Sequence, residues 1–205
     1  MSEIQVNTIN EYTSANGVNI DGALIKDNFL AATAGGGLVK LFSQTASGDS
    51  YIAFNTIQDN TNYSRYMVTI QDLIPSSDGA TLRAIFKNGS SDITGSYHRA
   101  HESLGLTYSG NSHGTDNTHT DYTEIAFGLG NDTGESWNGE IIISFGGGSY
   151  YATMHSQAVR QRSSGSLEAQ QVYGGIRNTS ATGVKFVPSA GNFTSGVFTV
   201  YGYRK

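Results

Sequence analysis

The sequence predicts an all-β protein, a jelly-roll-like antiparallel β-sandwich preceded by an extended N-terminal arm. Its 205 residues include 26 glycines and only 2 prolines, about twice the average glycine usage, which indicates many tight turns. Hydrophobic residues make up 37% and aromatic residues 11% of the chain, enough to bury a core that disordered chains cannot build. Short β-branched and aromatic runs recur between polar segments, whereas helical periodicity is scarce.

The first 37 residues form the predicted attachment arm. Turn-forming Asn-Gly and Asp-Gly pairs, at residues 16–17 and 21–22, flank a very short predicted strand that contains Val18 and Ile20. The small residues at 31–37 predict a flexible linker. Such an arm cannot make its own core, so its apolar residues are expected to dock on a partner, on copies of the chain or on the following domain. The docking residues are Ile4, Val6, Ile9, Tyr12, Val18, Ile20, Leu24 and Ile25.

The sandwich domain is predicted at residues 38–205, where strand-like runs separated by turns are typical of a sandwich or barrel. A helix candidate at 167–172 has good helix formers but only about two turns and no clear apolar stripe. Two polar, turn-rich segments, 108–122 and 157–166, are predicted to be loops, the first long and exposed. The predicted strands are 39–42, 51–54, 66–70, 81–86, 123–127, 140–145, 150–155, 171–176, 183–187 and 197–203.

Composition argues against several classes of protein. The net charge is −5, with 12 Lys and Arg and no basic run, so we expect no nucleic-acid partner. No stretch approaches the 18 or so apolar residues of a membrane span, and the polar N-terminus lacks a signal-peptide layout. The absence of cysteine excludes disulfides, cysteine zinc sites and thiol nucleophiles.

The polar segment 108–122 contains the best candidates for metal binding, because imidazole and carboxylate groups are zinc ligands. Its His113, Asp116, His119 and Asp121 match no established ligand spacing, and such residues are ordinary in solvated turns. We therefore predict neither a metal nor a cofactor.

The sequence offers no convincing catalytic constellation. No Gly-x-Ser-x-Gly elbow stands between a strand and a helix, and no pair of carboxylates is placed for glycoside cleavage. His98 and His101 lie three residues apart, which does not match the i, i+4 spacing of a helical zinc motif. We predict that the protein is not an enzyme.

A surface for ligand contacts is the remaining chemical hypothesis. Trp137 stands in a Gly, Asn and Asp frame, residues 134–139, where a flat ring and hydrogen-bonding neighbours would suit a carbohydrate. His113, His119 and Tyr122 are the further candidates for surface ligand contacts. The competing interpretation is that most aromatic side chains lie in the core or pair across strands.

Two segments resemble a known class of protein. Residues 8–27, TINEYTSANGVNIDGALIKD, resemble a stretch that recurs in virion structural proteins of tailed bacteriophages, especially fibre and decoration proteins. Residues 183–203, GVKFVPSAGNFTSGVFTVYGY, are similar to the ending of β-sandwich domains in the same class. Together they span about a fifth of the chain.

The resemblance implies a jelly-roll-like domain at the surface of a phage particle, assembled in the host bacterial cytoplasm and forming a homotrimer. The arm would attach it to other virion proteins, either the major capsid protein or tail or head components. A glycine linker replaces the long shaft of a fibre, which favours a small surface protein, and we predict a capsid cement or decoration protein. The alternative is a short tail or head fibre or tip protein that binds host surface glycans, and the third candidate is a carbohydrate-active enzyme.

Overall fold

The computed structural model describes residues 18–20, 23–26, 29–31, 37–95, 97–105, 111–119, 121–146, 151–161, 166–177 and 180–205. For 18–31, 103–105 and 111–119 the description covers the backbone alone. The described residues form strands and turns without a helix, and the strands of the main unit make two packed antiparallel sheets. The predicted all-β sandwich is therefore confirmed. The chain divides at Gly37 into two units, which are treated separately.

The N-terminal unit contains a small antiparallel sheet. Its strands are β1 (Val18–Ile20), β2 (Ala23–Lys26) and β3 (Phe29–Ala31). They pair in sequence order, with Val18, Ile25 and Leu30 in one cross-strand row. The short strand predicted around Val18 is confirmed, whereas β2 and β3 are additions to the prediction. The docking candidates Ile4, Val6, Ile9 and Tyr12 lie outside the described residues, and the docking role of Val18, Ile20, Leu24 and Ile25 stays a prediction.

The second unit consists of strands that form two antiparallel sheets. The strands are β4 (Leu38–Thr45), β5 (Ile52–Phe54), β6 (Tyr63–Pro75), β7 (Ala80–Asn88), β8 (Ser91–Asp92), β9 (Tyr97–Gly105), β10 (Asn111–His119), β11 (Thr123–Leu129), β12 (Trp137–Ser144), β13 (Ala152–Gln161), β14 (Leu167–Ile176), β15 (Gly183–Pro188) and β16 (Phe193–Arg204). The large sheet has the order β10-β9-β14-β13-β12-β6-β16-β4, and the small sheet has the order β11-β7-β15-β5 with β8 paired to β7.

Aromatic side chains join the two sheets across one core. Phe86 on β7 stacks on Tyr97 of the large sheet, with ring centroids 6.3 Å apart, and meets the edge of Phe145 at 6.1 Å. Phe186 on β15 contacts Phe198 on β16 at 5.5 Å. All five side chains are buried, and each such burial contributes about 1.5–3 kcal/mol. The core therefore fixes which face of the large sheet is left for solvent.

Three local predictions are wrong, two of them in part. Residues 167–172 belong to strand β14 and not to a helix, because full ladders to β13 and β9 override the helix propensity of a segment too short to be stable alone. Most of the predicted long loop 108–122 is strand β10, which pairs with β9 as a hairpin. Likewise 157–161, predicted as loop, continue β13. The ten predicted strands all overlap observed strands, with ends that differ by one or two residues at β5, β12 and β13.

Candidate functional site

The outer face of the large sheet, turned away from the small sheet, carries the candidate site. Strand alternation sends Val68 and Ile70 of β6 into the core, where they are buried, and leaves Thr69 and Gln71 on the outer face. The same alternation holds for β12, β13 and β14. Residues far apart in sequence therefore meet on this face through strand register.

One register row of the outer face is polar from strand to strand. Thr69 pairs with Glu140, Glu140 with Gln157, and Gln157 with Gln171. The Gln157 amide donates a hydrogen bond to the Glu140 carboxylate. These side chains and Asn138 line a shallow cavity of about 550 Å³, the amide cleft. Its amides offer both donors and acceptors to a ligand.

A second cavity, of about 420 Å³, lies further along β13 and β14 and is called the tyrosine groove. Its walls include Tyr151, which is 56% exposed, and Tyr173, which is 51% exposed. Gly175 forms part of the floor of the groove and has no side chain to fill it. A Cβ atom at this position would approach the Ala152 carbonyl oxygen to 2.9 Å. His98 pairs with Gly175 across the β9–β14 ladder and also lines the groove, as does Arg177.

Tyr173 connects the two cavities. Its ring stacks on His155 of β13, with centroids 4.5 Å apart and 2° between the planes. Its hydroxyl donates a 3.2 Å hydrogen bond to Oε1 of Gln171, which lines the amide cleft. The amide cleft and the tyrosine groove therefore form one continuous strip of the outer face.

Inward-facing ion pairs support the strands beneath this strip. Arg160 on β13 donates to the Glu168 carboxylate of β14 through Nε at 2.9 Å and through Nη2, and its Nη1 donates to the Gly128 carbonyl. Arg160 and Glu168 are both buried. On β9, Arg99 pairs with Glu124 of the small sheet. These contacts tie the large sheet to β11.

The resolved pKa shifts lie away from the strip. Burial would raise the pKa of Asp92 on β8, but hydrogen bonds and positive charge from Lys185 and Lys87 outweigh it and hold the pKa below its ordinary value. Burial raises the pKa of Tyr97 well above its ordinary value. Burial likewise raises the pKa of Tyr66 on β6, and none of the three groups lines the strip.

Trp137 is not a surface ligand contact, so that prediction is wrong. It is fully buried, because strand alternation turns the first residue of β12 toward the core. Its ring lies over Gly139, where a Cβ atom would approach the ring to 2.6 Å. Glycine at that position leaves room for the indole.

The other sequence candidates do not reach the strip within the described structure. Tyr122 is half-buried beside the small sheet, with the Arg83 guanidinium 4.1 Å above its ring. His113 and His119 lie on β10, where only the backbone is described, so their ligand role stays a prediction. Asp116 shares that strand. Among the described side chains, no group of three His, Asp or Glu residues is arranged to hold a metal ion.

The sequence predicts a strand at 171–176 but missed the tyrosine groove, because the sequence does not give the register of that strand against β9 and β13. In a strand, Gln171, Tyr173 and Gly175 share one face at a spacing of two residues. The pair Gly174-Gly175 after Tyr173 is the signal that pointed to a strand with close approach.

The fold and the strip define an antiparallel β-sandwich with an exposed aromatic and amide surface. Comparison with protein-family models, with curated proteins and with solved structures finds no match to this chain. Among the described residues, no helix has the length and apolar character needed to cross a membrane.

Proposed function

We propose that this chain is a virion protein of a tailed bacteriophage, a short fibre or tip protein whose sandwich binds host surface glycans. The observation that carries the proposal is the pair of exposed tyrosines, Tyr151 and Tyr173, beside a cleft of amide side chains. The phage class rests on the resemblance of residues 8–27 and 183–203 to virion structural proteins.

Sugars have the surface that this strip complements. A pyranose ring has apolar C–H faces that pack on an aromatic ring, and its hydroxyls both donate and accept hydrogen bonds, as carboxamides do. Tyr151 and Tyr173 supply rings, and Gln157 and Gln171 supply amides within reach of the same ligand. An open strip along a sheet suits a chain of sugars better than a single small molecule.

The carboxylates of the strip argue for binding and against hydrolysis. Of the described residues that line the two cavities, Glu140 is the one carboxylate, and its partner is an amide of Gln157. Glycoside hydrolysis ordinarily uses two carboxylates on either side of the bond that breaks. We therefore propose a binding protein and not a carbohydrate-active enzyme.

The test is a binding measurement on an array of bacterial surface polysaccharides. The wild type is expected to retain at least one glycan, and Tyr151→Ala with Tyr173→Ala to weaken binding at least tenfold, since two stacking faces are lost. Tyr51→Ala is the matched control, because Tyr51 is equally exposed, at 54%, but lies beside β5 on the small sheet. An array without any retained glycan, or a double variant that binds like the wild type, would refute the proposal.

The second candidate is a capsid cement or decoration protein anchored by its arm. The apolar residues of the arm, which cannot form a core of their own, favour an anchoring role. The arm would bind the major capsid protein or a tail or head component, and the protein would be a homotrimer, since closed symmetry lets identical chains bury their arms together. Deletion of residues 1–37 should abolish co-sedimentation with phage particles, and retained co-sedimentation would exclude the anchoring role.

A further inference from the structure

We propose that the glycan bound in the tyrosine groove is acidic, and that Arg177 with His98 receives its carboxylate. This inference rests on the proposed glycan-binding function and specifies the chemistry of its ligand.

The charge of the groove is opposite to that of the chain. The protein as a whole carries −5, yet the described residues that line the groove include no carboxylate, and Arg177 is the exposed cation among them, because the Arg99 side chain turns inward to Glu124. The outer-face carboxylates Glu102 and Glu140 belong to the polar register row of the amide cleft. The groove is therefore the part of the strip where an anion meets positive charge.

Arg177 is free to bind a ligand, unlike the arginines of the sandwich interior. Arg83 and Arg99 face Glu124, and Arg160 pairs with Glu168. Arg177 is exposed and has no ion pair within the described part of the chain. A guanidinium without an ion-pair partner can donate two parallel hydrogen bonds to a carboxylate.

His98 supplies a second polar group without a protein partner. Its Nε2 atom is buried and makes no hydrogen bond to the described residues. Buried polar atoms in native proteins nearly always have a partner, so this nitrogen is an unsatisfied polar group in the wall of the groove. Gly175, opposite His98 in the ladder, has no side chain that would occupy the space.

The spacing along β14 matches one sugar unit. Tyr173, Gly175 and Arg177 follow one another at intervals of two residues, about 7 Å each at the rise of a strand. A sugar ring stacked near Tyr173 would lie over Gly175, and a carboxylate on that ring would point toward Arg177. The aromatic wall, the open floor and the cation therefore suit a uronic acid or a similar carboxylated sugar.

The experiment compares each retained glycan of the array with its carboxyl-reduced form, using the full chain. We expect the retained glycans to be acidic and carboxyl reduction to weaken binding about tenfold or more, the size of a lost hydrogen bond to a charged group. Arg177→Gln should cause a similar loss for the acidic glycan and no loss for the reduced form. Arg65→Gln is the matched control, because Arg65 is exposed on β6, three strands away in the same sheet, and changes the net charge equally.

Three outcomes would overturn the inference. Equal binding of acidic and reduced glycans, or an Arg177→Gln variant as strong as the wild type, refutes the acidic ligand and leaves glycan binding intact. Equal weakening by Arg65→Gln and Arg177→Gln refutes the groove in favour of a general charge effect. Failure to retain any glycan refutes the proposed function itself, and the inference with it.

Discussion

Tyr173 and His155 are paired residue to residue in neighbouring strands, and their rings lie parallel at 4.5 Å. Because the Tyr173 hydroxyl also donates to Gln171, both ends of this exposed side chain are held. A ring that is already fixed loses little rotamer entropy when a ligand stacks on it. The stack is therefore a device for binding and not only for stability.

The first prediction concerns this support. His155→Ala should weaken glycan binding about three- to tenfold, because the Tyr173 ring would then lose rotamer entropy when the glycan binds. That loss is about 0.5–1.5 kcal/mol per immobilised side chain. Titration calorimetry measures the change, and Gln161→Ala, at the other end of the same strand and outside both cavities, is the control. Unchanged affinity in His155→Ala would mean that the stack does not organise the site.

The sandwich was predictable wherever apolar residues alternate with polar ones. β6 and β7 show that alternation in their burial patterns, and the same alternation is visible in their sequences. β10 has the sequence NSHGTDNTH, which carries no apolar pattern at all. It forms a strand because its backbone pairs with β9 at the edge of the sheet. Sequence periodicity does not predict a strand that depends on the backbone of a neighbouring strand.

The binding strip was harder to predict than the fold. Gln157 and Gln171 are polar residues with no motif, and Tyr173 is one of 12 tyrosines. They become a strip only through the β13–β14 register, and a shift of one residue would turn them into the core. Trp137 was the candidate that the sequence favoured, but strand alternation turns its side chain toward the core, where it is buried.

The second prediction separates the two interpretations of Trp137. Because the indole is fully buried, Trp137→Ala should lower the free energy of unfolding by about 3–5 kcal/mol. Urea denaturation measures the loss, and glycan affinity per folded molecule should be unchanged. A variant with normal stability and lost binding would restore Trp137 as a surface contact.

The third prediction is a pH dependence at Asp92. Its lowered pKa means that the ionised form is favoured in the folded state, so its contribution is present above the unfolded pKa of about 3.9 and is lost as pH falls through the lower folded value. Asp92→Asn should reduce stability at pH 7, because Lys87, buried beside it, loses its charged partner.

Urea midpoints at pH 7 and below pH 4 give the comparison for Asp92. The difference in stability between wild type and Asp92→Asn should shrink as pH falls below about 4 and disappear once pH is below the lowered pKa of the folded carboxyl. Asp78→Asn serves as the control, because Asp78 is an exposed aspartate in a turn. A difference that stays constant with pH would show that the loss comes from packing and not from charge.

The fourth prediction tests the ion pair beneath the strip. Arg160 is 2% exposed and Glu168 7%, so water hydrates neither charge. The ion pair between them replaces part of the lost hydration energy. Arg160→Met should cost about 3–5 kcal/mol, since it removes the guanidinium that faces the buried Glu168 carboxylate, whereas the double variant with Glu168→Leu should recover most of that loss. Urea denaturation of the two variants measures the recovery. If the double variant is no more stable than Arg160→Met, the loss comes from the hydrogen bond between Arg160 and the Gly128 carbonyl, which joins β13 to β11, and not from the ion pair between β13 and β14.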